Sequence, residues 1–140
     1  MKVQTYLFYN GRCQEALDFY QQAIGAEVVF RMHYNESPQP CGPIPAGFES
    51  KIMHCSFRIG ETELMAADGN SDAPAKFDGF SLPLVCKTVD EAERAYRALG
   101  DGGQTIMPLA ETFFAPKFGM LADRFGVHWM VLVESPQKGC

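Results

Sequence analysis

The chain has 140 residues, 46% of them hydrophobic, and a formal net charge of −5 at pH 7. That is one ordinary domain, able to bury roughly 70% of its unfolded surface, so it needs neither disulfides nor metal to fold. No apolar run approaches membrane-spanning length. The lysines and arginines are scattered rather than gathered into the basic stripe that competes for phosphates, which excludes nucleic acid as a partner.

The opening Met1-Lys2-Val3-Gln4 has no basic segment leading into an apolar one, so no secretory signal is expected and the cytoplasm is the default compartment. The five cysteines, Cys13, Cys41, Cys55, Cys86 and Cys140, are odd in number and show no C-x-x-C spacing, which argues against a disulfide framework. Cys13, Cys55 and Cys86 lie in apolar patterns and read as small core hydrophobes. Cys140, at the C-terminus, reads as exposed and without a role.

In chain order, Val3 to Tyr9 predicts a strand ending at the turn pair Asn10-Gly11. Cys13, Ala16, Leu17, Tyr20 and Ile24 share one helical face, and Gly25 ends that helix. Glu27 to Tyr34 predicts a second strand. Asn35 to Ser50 carries Pro38, Pro40, Pro43 and Pro45 and predicts a long loop. Lys51 to Ile59 alternates, with Met53, Cys55, Phe57 and Ile59 on one side and His54, Ser56 and Arg58 on the other. Gly60-Glu61 turns the chain into a fourth strand, Thr62 to Ala67, and Asp68 to Gly79 is a polar linker.

The pattern then repeats. Phe80 to Lys87 predicts a strand. Thr88 and Glu91 form a capping box that opens a helix with Val89, Ala92, Tyr96 and Leu99 on its apolar face, ended by Gly100. Gly103 to Met107, most of Thr112 to Ala122, and Val127 to Glu134 predict the remaining strands. The tail from Ser135 to Cys140 reads as loose. Glu15-Ala16, Tyr20 and Gly25 of the first helix recur as Glu91-Ala92, Tyr96 and Gly100 in the second, which marks an internal duplication. The expectation is one α+β domain over 1–140. It comprises two βαβββ repeats, about 1–68 and 80–134, whose curved mixed sheets surround a central cavity.

Tyr6-Leu7-Phe8, Asn10-Gly11, Glu15 to Tyr20 and Gly25-Ala26-Glu27 at one end, with Glu111 to Ala115, Phe118-Gly119, Asp123 to Val127 and Trp129-Met130 at the other, resemble the PhnB-like proteins. These belong to the vicinal oxygen chelate superfamily of glyoxalases, bleomycin-resistance proteins and dioxygenases. The match spans nearly the whole chain. The resemblance implies a glyoxalase fold, a pocket for a small-molecule ligand and a homodimer. In that superfamily a divalent metal polarises vicinal oxygens of the substrate. Carried over one at a time, its ligand positions fall on Thr5, Ser81, Met130 and a residue near Leu64. Hydroxyl, thioether and aliphatic groups do not make the usual hard site, so the expectation is no metal and no cofactor. Family members also carry a ubiquinone-pathway methyltransferase label. No strand, glycine-rich turn and helix unit for S-adenosylmethionine is visible here.

The candidate ligand-binding residues are His54, Glu111, His128, Trp129, Thr5 and Ser81. Each has a plainer alternative. His54 and His128 equally fit hydrogen-bonded strand histidines, His33 a solvated strand end, and Glu111 a turn acid. Asp68 and Asp123 fit turn-capping roles better than chemistry. Trp129, Phe80, Phe113, Phe114 and Phe118 supply aromatic surface, which is commonly core. Arg58 is the one evident inward cation, too little for a phosphonate. A metal-dependent lyase, isomerase or dioxygenase on displaced ligands (His54, Asp68, Glu111, His128) is the alternative, and a ligand-sequestering resistance-type protein is a third.

Overall fold

A computed structural model describes residues 1–38 and 44–135. The middle of the proline-rich loop, with Cys41, and the tail beyond Ser135, with Cys140, lie outside the described residues. The chain divides into two compact units, Met1–Ala75 and Lys76–Cys140.

The first unit contains β1 (Tyr6–Phe8), α1 (Cys13–Ile24), β2 (Glu27–His33), β3 (Ile52–Ile59) and β4 (Thr62–Ala67). Its sheet has the order β1-β4-β3-β2, with β1 parallel to β4 and the other pairs antiparallel. The second unit repeats the plan with β5 (Leu82–Cys86), α2 (Val89–Gly100), β6 (Gln104–Ala110), β7 (Lys117–Ala122) and β8 (His128–Val133) in the order β5-β8-β7-β6. Each unit is therefore a βαβββ module with one helix and one mixed four-stranded sheet, the glyoxalase-like α+β plan.

The apolar stripe of α1 explains which face it covers. Cys13, Ala16, Leu17 and Tyr20 are all buried. Cys13 Sγ lies 3.8 Å from Cys55 Sγ on β3, and the Tyr20 ring stacks on Phe57 at 6.2 Å. Tyr20 also meets Tyr9 hydroxyl to hydroxyl at 2.9 Å inside the core. The helix stops at Gly25, whose φ of 71° suits a residue without a Cβ. In α2, Thr88 caps the first turn by accepting from the Glu91 backbone N–H at 3.1 Å. The Glu91 carboxylate reaches back to the Lys87 N–H, one residue beyond the cap itself. Its buried stripe is Ala92, Ala95 and Leu99, whereas Val89 is exposed. Tyr96 meets its sheet through Gly119, where a Cβ would stand 2.8 Å from the Tyr96 ring.

Several strands are shorter than their sequence patterns. Val3 is exposed, because β1 is strand only where β4 pairs with it. Thr112 to Pro116 is a turn, with Ala115 N–H donating to the Thr112 hydroxyl at 3.1 Å. β6 runs on past Met107 to Ala110 despite Pro108, which an edge strand tolerates.

Asp68 closes the first unit. Its carboxylate accepts the Cys13 N–H at the start of α1 and the Ile52 N–H at the start of β3, both at 2.7 Å. At 1% exposure it has exchanged hydration for two charge-assisted bonds that pin helix to sheet. In the second unit the buried Asp123 carboxylate ties the turn before β8 to that strand, accepting from the Phe125 N–H, the Val127 N–H and the Trp129 indole N–H. Asp68→Asn keeps the shape but turns one acceptor into a donor that faces an N–H. It should destabilise the fold by about 2–3 kcal/mol, read as a lower urea midpoint at unchanged slope. A change below about 0.5 kcal/mol would contradict the clasp.

Candidate functional site

Each sheet has one face against its helix and one face turned away from it. On β3, Cys55 and Phe57 meet α1, so His54, Ser56 and Arg58 take the helix-free face. Register carries that face across the sheet. Tyr6, Met65, Ser56 and Phe30 form one row, with Phe8, Ala67, His54 and Met32 beside it. The bulge after Val28 is what brings Phe30 to this side.

His54 is half-buried there, and its Nδ1 lies 2.8 Å from the Tyr6 hydroxyl. Its ring tilts against Tyr6 at 5.5 Å and Phe30 at 6.2 Å, and Tyr6 stacks on Phe8 at 5.0 Å. Tyr6, Phe8 and Phe30 are all exposed. Partial burial, assisted by the Cys55, Cys13 and Tyr34 side chains, pushes the Tyr6 phenol up to about 12. It therefore stays a neutral donor near pH 7. The aromatic face thus carries one oriented imidazole. Arg58 lies on the same face, 3.9 Å from the Glu27 carboxylate.

In the second unit, Gly119 and Leu121 approach α2, so their partners Val131 and Trp129 lie on the helix side. Trp129 is buried and donates its indole N–H to Asp123 at 2.9 Å. It was expected among ligand-contacting residues. Strand alternation instead places it opposite His128, in the core. His128, Met130 and Leu132 are half-buried on the helix-free face with Met120 and Phe118. Ser81 precedes β5, and the β5–β8 register carried back one residue sets it beside His128. Glu111 is exposed, just past the end of β6.

Thr5 is half-buried, and its carbonyl accepts from Met65 N–H at 2.9 Å. Alternation places it with Leu7 rather than with Tyr6. His33 is bound locally, with Nδ1 2.6 Å from Glu36 Oε1. The backbone N–H and ring of His33 hold the Glu36 carboxyl below its usual range. Sequence reasoning missed Tyr6 and Phe30 as site residues. The same-face pair Tyr6 and Phe8 was a visible signal, whereas the bulge that redirects Phe30 was not.

The superfamily metal does not fit these residues. Leu64 is buried and pairs with Phe57 on the helix side, so Glu63 and Met65 are the β4 residues facing away from α1. Thr5, Ser81 and Met130 supply only hydroxyls and a thioether. Among the described residues, no three His, Cys, Asp or Glu side chains are grouped to hold an ion. Asp68, one of the displaced candidates, spends both carboxylate oxygens on backbone N–H groups.

Residues 1–132 match the model of a family described as 3-demethylubiquinone-9 3-methyltransferase. Protein YjdN of Escherichia coli (strain K12) is 32% identical over 144 residues, covering 98% of each chain. Among solved structures, protein PA1353 from Pseudomonas aeruginosa is 40% identical at TM-score 0.83, covering 96% of this chain and 98% of that one. A PhnB protein from Bacillus cereus is 29% identical at TM-score 0.79, covering 95% and 99%. The fold alone is shared with a glyoxylase/bleomycin resistance protein/dioxygenase domain from Frankia sp. EAN1pec, which is 13% identical at TM-score 0.62 and covers 100% of this chain and 94% of that one.

The thiols give a pH-dependent expectation. The sulfur contact with Cys55, then burial, raises the Cys13 thiol, and burial pushes Cys86 up to about 11. Raised values leave little thiolate at pH 8. Iodoacetamide followed by peptide mass mapping should leave Cys13 and Cys86 unmodified at pH 8 and modify both in guanidinium chloride. Labelling of Cys86 should grow as pH rises toward 11. Rapid native labelling of Cys13 would contradict the packing of α1 on β3.

Proposed function

This chain belongs to the family described as 3-demethylubiquinone-9 3-methyltransferase, as a PhnB-like member of the glyoxalase superfamily, and we propose that it binds a small organic molecule without a metal. The observation that carries this is the helix-free face of the first sheet. Tyr6, Phe8 and Phe30 are exposed around one oriented imidazole, His54. Aromatic side chains beside a single convergent polar group are the lining chemistry of small-molecule sites. His128, Met130 and Ser81 give the second sheet a comparable helix-free surface.

Methyl transfer is not part of this proposal. Transfer from S-adenosylmethionine ordinarily uses a parallel sheet with a glycine-rich turn between strand and helix. Here β1 passes to α1 through Tyr9-Asn10-Gly11-Arg12, and each sheet contains antiparallel pairs.

A homodimer is part of the reading. Phe113 is fully exposed on the turn held by Thr112 and Ala115, with Phe114 exposed beside it. A rigid aromatic tip of that kind is surface that a second copy would bury. The chain should sediment as a dimer at micromolar concentration, and Phe113→Ser should shift it toward monomer with its circular dichroism unchanged. A wild-type monomer would remove the dimer from the account.

The ligand site is tested by thermal-shift screening of small aromatic compounds, with metal analysis of protein purified without chelator. Metal should fall well below one ion per chain, and hits should stabilise the wild type without being turned over. His54→Ala should weaken them roughly five-fold, the worth of one hydrogen bond of about 1 kcal/mol. Stoichiometric zinc, nickel, manganese or iron that is lost in His54→Ala or Glu111→Ala would replace this reading with a displaced-ligand enzyme.

A further inference from the structure

Tyr6 Oη lies 2.8 Å from His54 Nδ1. Two proton placements allow this contact. Either the phenol donates to a bare Nδ1, or a protonated Nδ1 donates to the phenol oxygen. A phenol O–H is a strong donor, while its oxygen is a weak acceptor because a lone pair is delocalised into the ring. A bare imidazole nitrogen is a strong acceptor. The first placement therefore wins, and the raised Tyr6 phenol keeps the donor proton in place across the neutral range. With Nδ1 occupied, a neutral imidazole carries its own proton on Nε2. Among the described residues no other hydrogen bond claims the His54 ring.

We propose that Tyr6 is a positioning residue that fixes His54 as an Nε2–H donor, so that this face takes a flat aromatic molecule bearing a neutral acceptor oxygen such as a carbonyl. This rests on the binding reading above and names the ligand class for the same face. The surroundings favour a neutral acceptor over an anion. Arg58, the cation of this face, lies 3.9 Å from Glu27 and is registered opposite Glu63, so two carboxylates accompany one guanidinium. Tyr6, Phe8 and Phe30 supply the ring surface around the donor. A ring held this way in its neutral form has neither nitrogen free to coordinate a cation. It also has no bare Nε2 to act as a general base.

Nitrogen-15 NMR of the full-length chain at pH 8.5, with His54 assigned through His54→Gln, reads the proton directly. Nδ1 should resonate in the unprotonated, hydrogen-bonded range and Nε2 in the protonated range. In Tyr6→Phe, which keeps the ring against Phe8, both should move toward the average of freely exchanging tautomers. A protonated Nδ1 in the wild type, or an unchanged pattern in Tyr6→Phe, would overturn the assignment. Acetophenone and ethylbenzene then serve as matched probes at millimolar concentration. Acetophenone should shift the His54 Nε2–H and ethylbenzene should not. The preference for acetophenone should shrink roughly two- to ten-fold in Tyr6→Phe. The expected tautomer with neither probe bound would overturn the binding reading and the ligand class together. Probe binding with the opposite tautomer would overturn the role of Tyr6 alone. Should Tyr6→Phe fail to fold, the wild-type nitrogen pattern decides by itself.

Discussion

The alternation of β3 is the constraint on which the first unit depends. Cys55 and Phe57 are fixed against α1, so His54, Ser56 and Arg58 must face away from it. A slip of one residue would bring the imidazole under the helix and expose a thiol and a phenyl ring. The Asp68 carboxylate guards against that slip by binding the first N–H of the helix and the first N–H of the strand together. The core and the candidate site are thus two faces of one register.

This arrangement separates the residues that hold each module together from those on its helix-free face. The helix-side residues of each module, including Tyr20, Phe57, Leu99, Trp129 and Val131, are packed independently of the opposite face. Buried carboxylates in both units serve backbone amides and an indole rather than a cation. What remains on the helix-free side of the first sheet is aromatic surface with one imidazole whose partner is a phenol.

Much of this was legible in the sequence because it follows from short-range periodicity. The helix with Cys13, Ala16, Leu17 and Tyr20 buried, the span Thr62–Ala67 and the two faces of β3 all match their patterns. The turn-capping expectation for Asp123 agrees with its backbone bonds, whereas Asp68, expected to serve the turn beside Gly69, instead binds the distant Cys13 and Ile52 N–H groups. What failed depended on pairing partners. Val3 and the Thr112 segment have strand-forming residues but no neighbouring strand to bond. Near Leu64, the β4 residues that face away from α1 are Glu63 and Met65, which only the pairing with β3 reveals. Trp129 was grouped with the site by chemistry although the alternation around His128 already separated them. Phe30 depended on a bulge, and although the same-face pair Tyr6 and Phe8 was visible, the contact of Tyr6 with His54 spans 48 positions, which periodicity does not reach.

The most direct measurement is a crystal structure of protein grown without chelator in the presence of a small aromatic ketone, with data collected across the absorption edges of the common transition metals. No anomalous peak is expected, and ligand density should lie against Tyr6, Phe8 and Phe30 with an oxygen facing His54 Nε2. An ion bound by Thr5, Ser81 or His54, or a ligand seated away from the helix-free faces, would contradict the proposed site.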